Sequence, residues 1–277
     1  MAIAAEETRR DAGGVIHAPA KGNARIVSLV PSVTELLFDL GLGNHIVGRT
    51  HYCIHPKEGV ARVPSLGGTK KIRMERLQEL RPSHAIVNVD ENPRAMAEAI
   101  AEAGIEVIVT HPLAPLDNLP LYRLMGSLFD REAEAERLSA RFLEAYAELA
   151  AAAEDWPNRK VLYLIWQDPW MTVARDTYIA ATLALLHWQT VGNEGPERYP
   201  TIEISRVCLK ETDLVLFPSE PYAFTPADVE AFRARFACEG VRLARIDGEM
   251  TSWYGSRAIQ GLCYLRDFAE RIQREAS

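Results

Sequence analysis

Cysteine is scarce in this chain, and its spacing argues against the common cysteine-based sites. The 277 residues include four cysteines, at Cys53, Cys208, Cys238 and Cys263. No two of them form a Cys-x-x-Cys pair, so the pattern does not favour a zinc ribbon or a redox dithiol. The spacing does not assign a disulfide.

Positive charge is also in short supply. Lysine and arginine total 31 against 38 aspartates and glutamates, which gives a net charge of -7. An acidic chain without a basic run is not expected to bind nucleic acid. No apolar window approaches the ~20 residues that a membrane-spanning helix requires. The sequence also lacks the GxSxG nucleophile motif, and Gly67-Gly68-Thr69-Lys70 lacks the spacing of a phosphate-binding loop.

The first residues contain no apolar segment of a secretory signal. We expect residues 1–24 to form a polar, flexible leader. As written, the chain is expected to be cytoplasmic.

A long helix is predicted at Asp130–Asp155, a stretch without glycine or proline and rich in alanine, glutamate, leucine and arginine. Leu138, Phe142, Tyr146 and Leu149 give it one apolar stripe. Such a helix would be roughly 35–40 Å long, which is too long for one layer of a small α/β domain. We therefore expect it to join two domains.

Predicted strands alternate with predicted helices on both sides of this helix, a pattern typical of parallel α/β sheets. The first helix is predicted to begin with a capping box of Ser32 and Glu35. The expected organisation is a leader (1–24), an N-terminal α/β lobe (25–128), a backbone helix (129–157) and a C-terminal α/β lobe (158–277).

Loops that follow the predicted strands are the candidate binding surface, because parallel sheets bind ligands beyond the carboxyl ends of their strands. We expect these loops to face each other across a cleft between the lobes. They carry many aromatic side chains: Tyr52, Trp166, Trp170, Tyr199, Tyr222, Phe224, Trp253 and Tyr254. Such planes suit a flat, partly apolar macrocycle. We select Tyr52, Trp166, Trp170 and Trp253 as ligand contacts.

Two polar clusters leave alternatives open. His51, Cys53 and His55, completed by His111 and Glu91, could bind a metal ion, or the histidines could simply line a polar cleft wall. Cys53 is more typical of a small buried side chain than of a reactive thiol. Asp90 and Glu91 could support acid/base chemistry, but a charge cluster at a helix N-terminus is the preferred interpretation.

Four segments together resemble the substrate-binding proteins of ABC importers for vitamin B12 and ferric siderophores, the helical-backbone metal receptor superfamily. These segments are Arg25–Gly43, Ile46–Cys53, Leu66–Gly68 and Glu75–Pro82. The resemblance implies two Rossmann-like α/β lobes joined by one long helix, the class III periplasmic-binding-protein type. It also implies a monomeric, non-catalytic, periplasmic binding protein that has no intrinsic cofactor and holds a corrinoid or metal chelate.

The resemblance also suggests roles for single residues. Tyr52 and Trp253 match positions at which the B12-binding branch places aromatics against the corrin, with Tyr254 and Arg257 just beyond. Tyr254, Arg257, His51 and Glu91 are also expected to contact the ligand. Glu75 matches the glutamate that docks on a permease arginine. The C-lobe counterpart departs from the pattern, because Ser205 stands there, with Glu203 two residues earlier.

Three hypotheses follow for the function of the chain. The favoured one is a non-catalytic binding protein that holds a cobalamin-like corrinoid or related metal chelate for an ABC importer. The second is a receptor for a bare metal ion using His51, His55, His111 and Glu91. The third is an intracellular corrinoid-handling protein or enzyme on the same scaffold.

Overall fold

The structure is a computed structural model that describes residues 6–20, 22, 24–192, 195–204, 209, 212–236, 238 and 240–275. The chain divides into two compact units. The N-terminal unit comprises the chain up to Pro112, Leu116–Arg141 and Tyr254–Arg257. The C-terminal unit comprises Leu113–Pro115, Phe142–Trp253 and the chain from Ala258 onward.

The N-terminal unit contains a parallel four-stranded sheet in the order β2-β1-β3-β4. Its strands are β1 (Ile26–Ser28), β2 (Ile46–Arg49), β3 (His84–Asn88) and β4 (Glu106–Thr110). Its helices are α1 (Pro31–Asp39), α2 (Lys57–Val60), α3 (Met74–Glu79), α4 (Arg94–Glu102) and α5 (Asn118–Phe129). Each strand is followed by a loop or helix that returns the chain to the start of the next parallel strand, as βαβ units require.

The C-terminal unit repeats this plan with a parallel sheet in the order β6-β5-β7-β8. Its strands are β5 (Arg159–Tyr163), β6 (Trp188–Thr190), β7 (Leu214–Pro218) and β8 (Arg242–Ile246). After the long helix α6 (Glu132–Ala153), the chain forms the helices α7 (Tyr178–Ala184), α8 (Pro226–Arg235), α9 (Gly248–Ser252) and α10 (Arg257–Arg274). The predicted α/β class with two mainly parallel sheets is confirmed.

Each unit has its own hydrophobic core, because the strands of a parallel sheet are covered on both faces. Val27, Leu29 and Val87 pack with Leu66 and Leu77 in the N-terminal unit. In the C-terminal unit the core is richer in aromatic rings. It is built from Leu164, Phe217, Phe224, Phe232 and their neighbours.

The long helix α6 spans Glu132–Ala153, and the division between the units falls within it, between Arg141 and Phe142. Its 22 residues make it roughly 33 Å long. The helix begins two residues later than predicted, because Asp130 adopts a left-handed conformation and ends α5. Leu138, Phe142 and Leu149 of the predicted stripe are buried.

The predicted capping box at the start of α1 is wrong. The helix begins at Pro31, its N-cap is Val30, and no side chain caps it. Proline at the first helical position needs no amide partner and already has a helical φ angle. Glu35 is therefore available for a different partner, described below.

Part of the predicted leader, residues 9–20, contacts the N-terminal unit. Asp11 and His17 are buried, and the Ala12 amide donates to the Val109 carbonyl at 3.0 Å. Further along, the Ala20 amide donates to the Leu128 carbonyl at 2.8 Å. These bonds dock the segment on the N-terminal unit. The polar composition of the segment could not reveal them.

Helices α2, α5 and α9 and strand β6 were not predicted from the sequence. Strand β6 follows directly after the turn that closes α7, and α9 occupies part of a segment expected to be a loop. Both are too short to give a clear periodic pattern. Among the described residues, no helix is long and apolar enough to cross a membrane.

Candidate ligand-binding site

Loops at the carboxyl ends of β2, β3 and β4 form the candidate surface of the N-terminal unit. His51 and Tyr52 follow β2, Asp90 and Glu91 follow β3, and His111 follows β4. Because neighbouring parallel strands end at the same edge of a sheet, the fold brings these loops together.

His51 and Tyr52 are the exposed aromatic feature of this surface. Their ring centroids are 4.1 Å apart with the planes tilted by 48°. Tyr52 is 55% exposed. At Gly68, a Cβ atom would lie 3.3 Å from His51 Cε1, so the glycine lets its loop pass close to the two rings. The Tyr52 ring is therefore exposed to solvent on a loop that lies close to Gly68.

Cys53, the next residue, is buried beneath this surface. Its Sγ atom lies 3.0 Å from Thr34 Oγ1 and 3.2 Å from Thr50 Oγ1. Burial raises the pKa of the Cys53 thiol, which keeps it protonated and unreactive. It is a small buried side chain, as the sequence suggested.

Two asparagines hold the loop that carries Asp90 and Glu91. Asn88 Oδ1 accepts from the Asp90 amide at 2.8 Å, and Asn92 Oδ1 accepts from the Asn88 amide at 2.8 Å. The Asn92 amide group also donates to the Leu29 carbonyl at 3.2 Å. Sequence reasoning missed these supporting residues, although an asparagine at a strand end is a common signal for such a turn.

The hypothesis of a bare metal site receives no support from the geometry. His111 Nε2 lies 3.5 Å from Asp90 Oδ1. Within the part of the chain that the structure describes, however, no group of three or more histidine, cysteine, aspartate or glutamate side chains could hold a metal ion. His51, His55, His111 and Glu91 therefore do not form a common coordination site.

The segment Tyr254–Arg257 belongs to the N-terminal unit although it is distant in sequence. The Tyr254 hydroxyl donates to Glu91 Oε1 at 2.8 Å. The Arg257 guanidinium donates two bonds of 2.7 Å to the Glu35 carboxylate. Burial, followed by the Glu91 charge, raises the pKa of Tyr254 well above its usual range, so the hydroxyl stays a donor. A ligand contact by Tyr254, Arg257 or Glu91 stays a prediction.

Gly255 makes this docking possible. Its φ of +81° is favourable for glycine, and a Cβ atom there would lie 3.1 Å from the Ser32 carbonyl oxygen. Its amide donates to Asn118 Oδ1 at 2.6 Å, and its carbonyl accepts from the Tyr122 hydroxyl at 2.8 Å. The backbone of the segment is thus fixed on α5.

In the C-terminal unit, Trp166 is the exposed aromatic side chain, with 42% of its surface accessible. Its ring meets the Tyr222 ring edge to face, at 5.4 Å between centroids. Gln167 Nε2 donates to the Tyr222 hydroxyl. The Met171 amide donates to the Trp166 carbonyl at 3.2 Å and closes the loop. Trp166 is therefore held in position while its ring remains open to solvent.

Trp170 lies in the same loop but is partly buried and packs against the core of the C-terminal unit. Its ring is parallel to Phe224 within 3°, with centroids 6.2 Å apart, and meets Phe232 edge to face at 5.3 Å. These contacts give Trp170 a structural role. Whether Trp170 also contacts a ligand stays a prediction.

Trp253 is nearly buried, and its indole nitrogen donates to Glu220 Oε1. The Ser252 hydroxyl donates to the same oxygen at 3.3 Å. Burial raises the pKa of the Glu220 carboxyl, and the charge of Glu249 adds to this effect. Sequence reasoning missed Glu220, because its partners come from a loop that is more than 30 residues away. Whether Trp253 contacts a ligand stays a prediction.

The predicted transporter-docking residue, Glu75, is exposed in the first turn of α3. Its expected C-lobe counterpart, Ser205, lies outside the described residues, whereas the neighbouring Glu203 is exposed. Docking by Glu75 stays a prediction.

Comparison with known proteins identifies the family of this chain. The profile of the family described as periplasmic binding protein matches residues 26–217. A vitamin B12-binding protein of Yersinia pseudotuberculosis serotype O:3 (strain YPIII) is 24% identical over 205 residues, which cover 72% of this chain and 70% of that protein.

Two solved structures share the fold. The periplasmic vitamin B12-binding protein BtuF of Vibrio cholerae superposes with a TM-score of 0.78 at 15% identity and covers 91% of this chain and 98% of its own. The apo form of the periplasmic heme-binding protein RhuT from Roseiflexus sp. RS-1 gives a TM-score of 0.73 at 22% identity, with 90% and 98% covered.

The family match confirms the resemblance inferred from the sequence, and it removes the enzyme alternative. The matched residues extend from β1 to β7. They include the loops that carry Tyr52 and Trp166. The chain belongs to the periplasmic binding protein family, whose members are non-catalytic substrate-binding proteins of ABC transporters.

Proposed function

We propose that this protein binds a cobalamin-like corrinoid, or a closely related metal chelate, and presents it to an ABC importer. The observation that carries the proposal is the exposure of Tyr52 and Trp166 on loops at the carboxyl ends of parallel strands. Vitamin B12-binding relatives that align with about two thirds of the chain support the choice of ligand.

The two exposed rings suit the chemistry of such a ligand. A corrin is a broad, partly apolar plane with amide groups at its rim, and aromatic side chains bury such planes without a strict hydrogen-bond geometry. His51 lies against Tyr52, and its imidazole can donate to a rim amide or meet the metal from one side. The proposal requires no catalytic group.

We further propose that Tyr52 and Trp166 each contribute to ligand affinity. If so, substitution of either ring weakens ligand binding. Unchanged affinity after one of the two substitutions would remove that ring from the proposal.

Coupling to an importer rests on Glu75. Its carboxylate is exposed in the first turn of a helix, where it can pair with an arginine of a membrane protein. We also propose a periplasmic location, in keeping with the relatives. Cell fractionation of the native organism with an antibody against this chain tests the location, and recovery with cytoplasmic markers would contradict it.

The ligand proposal is tested by quenching of tryptophan fluorescence during titration with cyanocobalamin. Tyr52→Ala and Trp166→Ala are each expected to raise the Kd about tenfold or more, since a buried aromatic contact contributes on the order of 1–2 kcal/mol. Tyr52→Phe, which keeps the ring, is expected to bind nearly as well as the parent. Leu143→Ala, an exposed apolar residue on α6, is the matched control and should change nothing.

The same titration with hemin separates the two ligand classes found among the structural neighbours. A Kd for hemin well below that for cyanocobalamin would replace the corrinoid with a porphyrin. Unchanged cyanocobalamin affinity in both Tyr52→Ala and Trp166→Ala would remove the aromatic surfaces from the site.

A further inference from the structure

A buried charged cluster in the N-terminal unit plays no part in the proposed ligand site. His17 lies between two carboxylates, with Nε2 at 3.1 Å from Asp11 Oδ2 and Nδ1 at 2.7 Å from Glu106 Oε1. The side chains of His17 and Asp11 are almost fully buried. A neutral imidazole has one N–H group, whereas both contacts here face acceptor oxygens. Both are satisfied as hydrogen bonds when the ring carries two protons and a positive charge.

This cluster fastens a short segment, residues 9–17, to strand β4; we call the segment the N-terminal clasp. Strand β4 is at an edge of its sheet. The Ala12 amide donates to the Val109 carbonyl at 3.0 Å, and the Val109 amide donates to Asp11 Oδ2 at 2.9 Å. Glu106 is itself the first residue of β4. The clasp therefore covers backbone groups that an edge strand would otherwise leave open to pairing with another chain.

The clasp is closed on itself by further bonds. Asp11 Oδ1 accepts from the Val15 amide at 2.9 Å, and the His17 amide donates to the Arg9 carbonyl at 3.1 Å. Arg9 Nε in turn donates to the His17 carbonyl at 3.0 Å. Asp11 thus joins three partners at once: the clasp backbone, the β4 backbone and the His17 ring. Loss of the His17 charge would leave that carboxylate buried without its counter-ion.

We propose that His17 is a pH-sensitive lock that holds the N-terminal clasp on β4 while its ring is charged, and that the clasp detaches when the ring loses its proton. Four charged or titratable groups lie near His17. Asp11 faces it from the clasp, Glu106 from β4, and Arg9 lies at its carbonyl group. His84, at the start of β3, faces the other Glu106 oxygen at 3.5 Å.

The direction of the pH effect follows from these neighbours. The hydrogen bond with Asp11 raises the pKa of His17, burial opposes the rise, and Glu106 adds to it. A group whose pKa is raised on folding stabilises the closed state below its unfolded pKa and loses this contribution as the pH rises through its folded pKa. The clasp is therefore expected to open on the alkaline side.

Two groups limit closure on the acid side. Burial alone would raise the pKa of Asp11, but its bonds from His17, Val109 and Val15 outweigh burial and lower it. Closure is thus lost as the pH falls through the lowered pKa of Asp11. Burial lowers the pKa of His84, and the Glu106 charge opposes this effect. Keeping the His84 ring neutral therefore costs free energy when the pH falls below the ordinary pKa of histidine. The clasp should be most firmly closed between these limits.

Hydrogen exchange of the full chain, together with NMR titration of the histidine rings, tests the lock. The amides of Ala12 and Val109 bridge the clasp and β4, so their protection, corrected for intrinsic exchange, reports closure directly. We expect His17 to titrate above the ordinary value of about 6.5. Protection of both amides should fall by up to tenfold per pH unit between that ordinary value and the measured pKa of His17, and should level off above it.

Two variants test whether the charge of His17, and not only its shape, holds the N-terminal clasp on β4. His17→Gln should lower the protection of the Val109 amide about tenfold or more at neutral pH and remove its alkaline pH dependence. Asp11→Asn removes the negative charge and keeps an oxygen acceptor for only one of the Val15 and Val109 amides, and it should lower the pKa of His17. His45→Gln is the control, because His45 contacts the Ala24 carbonyl at 3.1 Å rather than a carboxylate.

Two results would overturn the proposal: titration of His17 at or below its ordinary value in the parent protein, or unchanged protection of the Val109 amide in His17→Gln. If His17→Gln does not fold, the titration of the parent protein decides alone.

Discussion

At the scale of single residues, two tryptophans four positions apart in one loop have opposite environments. Trp166 is 42% exposed, whereas Trp170 packs against Phe224 and Phe232. Their types are identical and both follow β5. Only the packing of the loop distinguishes a ring that is open to a ligand from a ring that belongs to the core.

This difference predicts that one substitution mainly lowers stability and the other mainly weakens ligand binding. Trp170→Ala should lower the free energy of unfolding by about 3–5 kcal/mol, because it leaves a cavity among aromatic rings. Trp166→Ala should change stability by less than about 1 kcal/mol while weakening ligand binding. Urea denaturation and ligand titration of both variants measure the two effects. Equal loss of stability in both would mean that Trp166 is also a core residue.

Glu220 gives a second prediction at this scale. Because burial raises the pKa of its carboxyl, the folded state loses stability as the pH rises from the unfolded pKa of Glu220 to its folded pKa. Glu220→Gln keeps an acceptor for the Trp253 indole and removes the charge. It should raise the Tm at neutral pH by roughly 2–4 °C, if the charge costs on the order of 1 kcal/mol.

Thermal unfolding of Glu220→Gln and the parent from pH 4 to pH 8 tests this prediction. The difference should grow as the pH rises. A lower Tm for Glu220→Gln at every pH would show that the charged carboxylate stabilises the fold.

At the scale of elements, the segment Tyr254–Arg257 ties the start of α10 to α1 of the N-terminal unit. Arg257 and Glu35 form a two-point pair with side chains that are 9% and 16% exposed. Arg257→Met should destabilise the protein by about 3 kcal/mol, because it leaves the Glu35 charge poorly solvated and unpaired. The double variant Glu35→Leu/Arg257→Met should recover much of that loss.

The matched control for this pair lies on the same helix. Arg266 and Glu148 form an ion pair at 2.8 Å, but their side chains are 30% and 52% exposed. Arg266→Met should cost less than about 1 kcal/mol. Additive effects of the Glu35 and Arg257 substitutions in a double-mutant cycle would show that the buried pair is not coupled.

The short helix α3 carries the prediction for transport. Glu75→Gln should reduce ligand-dependent stimulation of the cognate importer's ATPase in proteoliposomes by about tenfold, while ligand affinity stays the same. Glu79→Gln, an exposed change in the same helix, should have little effect. Full stimulation by Glu75→Gln would assign docking to another surface.

At the scale of the whole molecule, the sequence predicted the alternation of strands and helices but not every element. The apolar run His84–Asn88 forms strand β3, and Leu262, Leu265, Phe268 and Ile272, which recur at helical spacing, are buried along α10. These patterns are readable because burial of a strand or a helix face imposes a short, regular period on the chain.

Long-range contacts could not be predicted in this way. The pairing of Arg257 with Glu35, the bond from Tyr254 to Glu91 and the docking of His17 on β4 join residues that are 89 to 222 positions apart. No local spacing specifies such partners. For the same reason, the sequence could not show that the fold buries much of Trp170 and Trp253.

The central claim is that this two-unit protein binds a cobalamin-like corrinoid, and isothermal titration of the full chain with cyanocobalamin tests it most directly. We predict saturable binding of one ligand per chain with a Kd in the micromolar range or tighter, about −8 kcal/mol or more favourable. The absence of a binding signal at micromolar protein would contradict the claim.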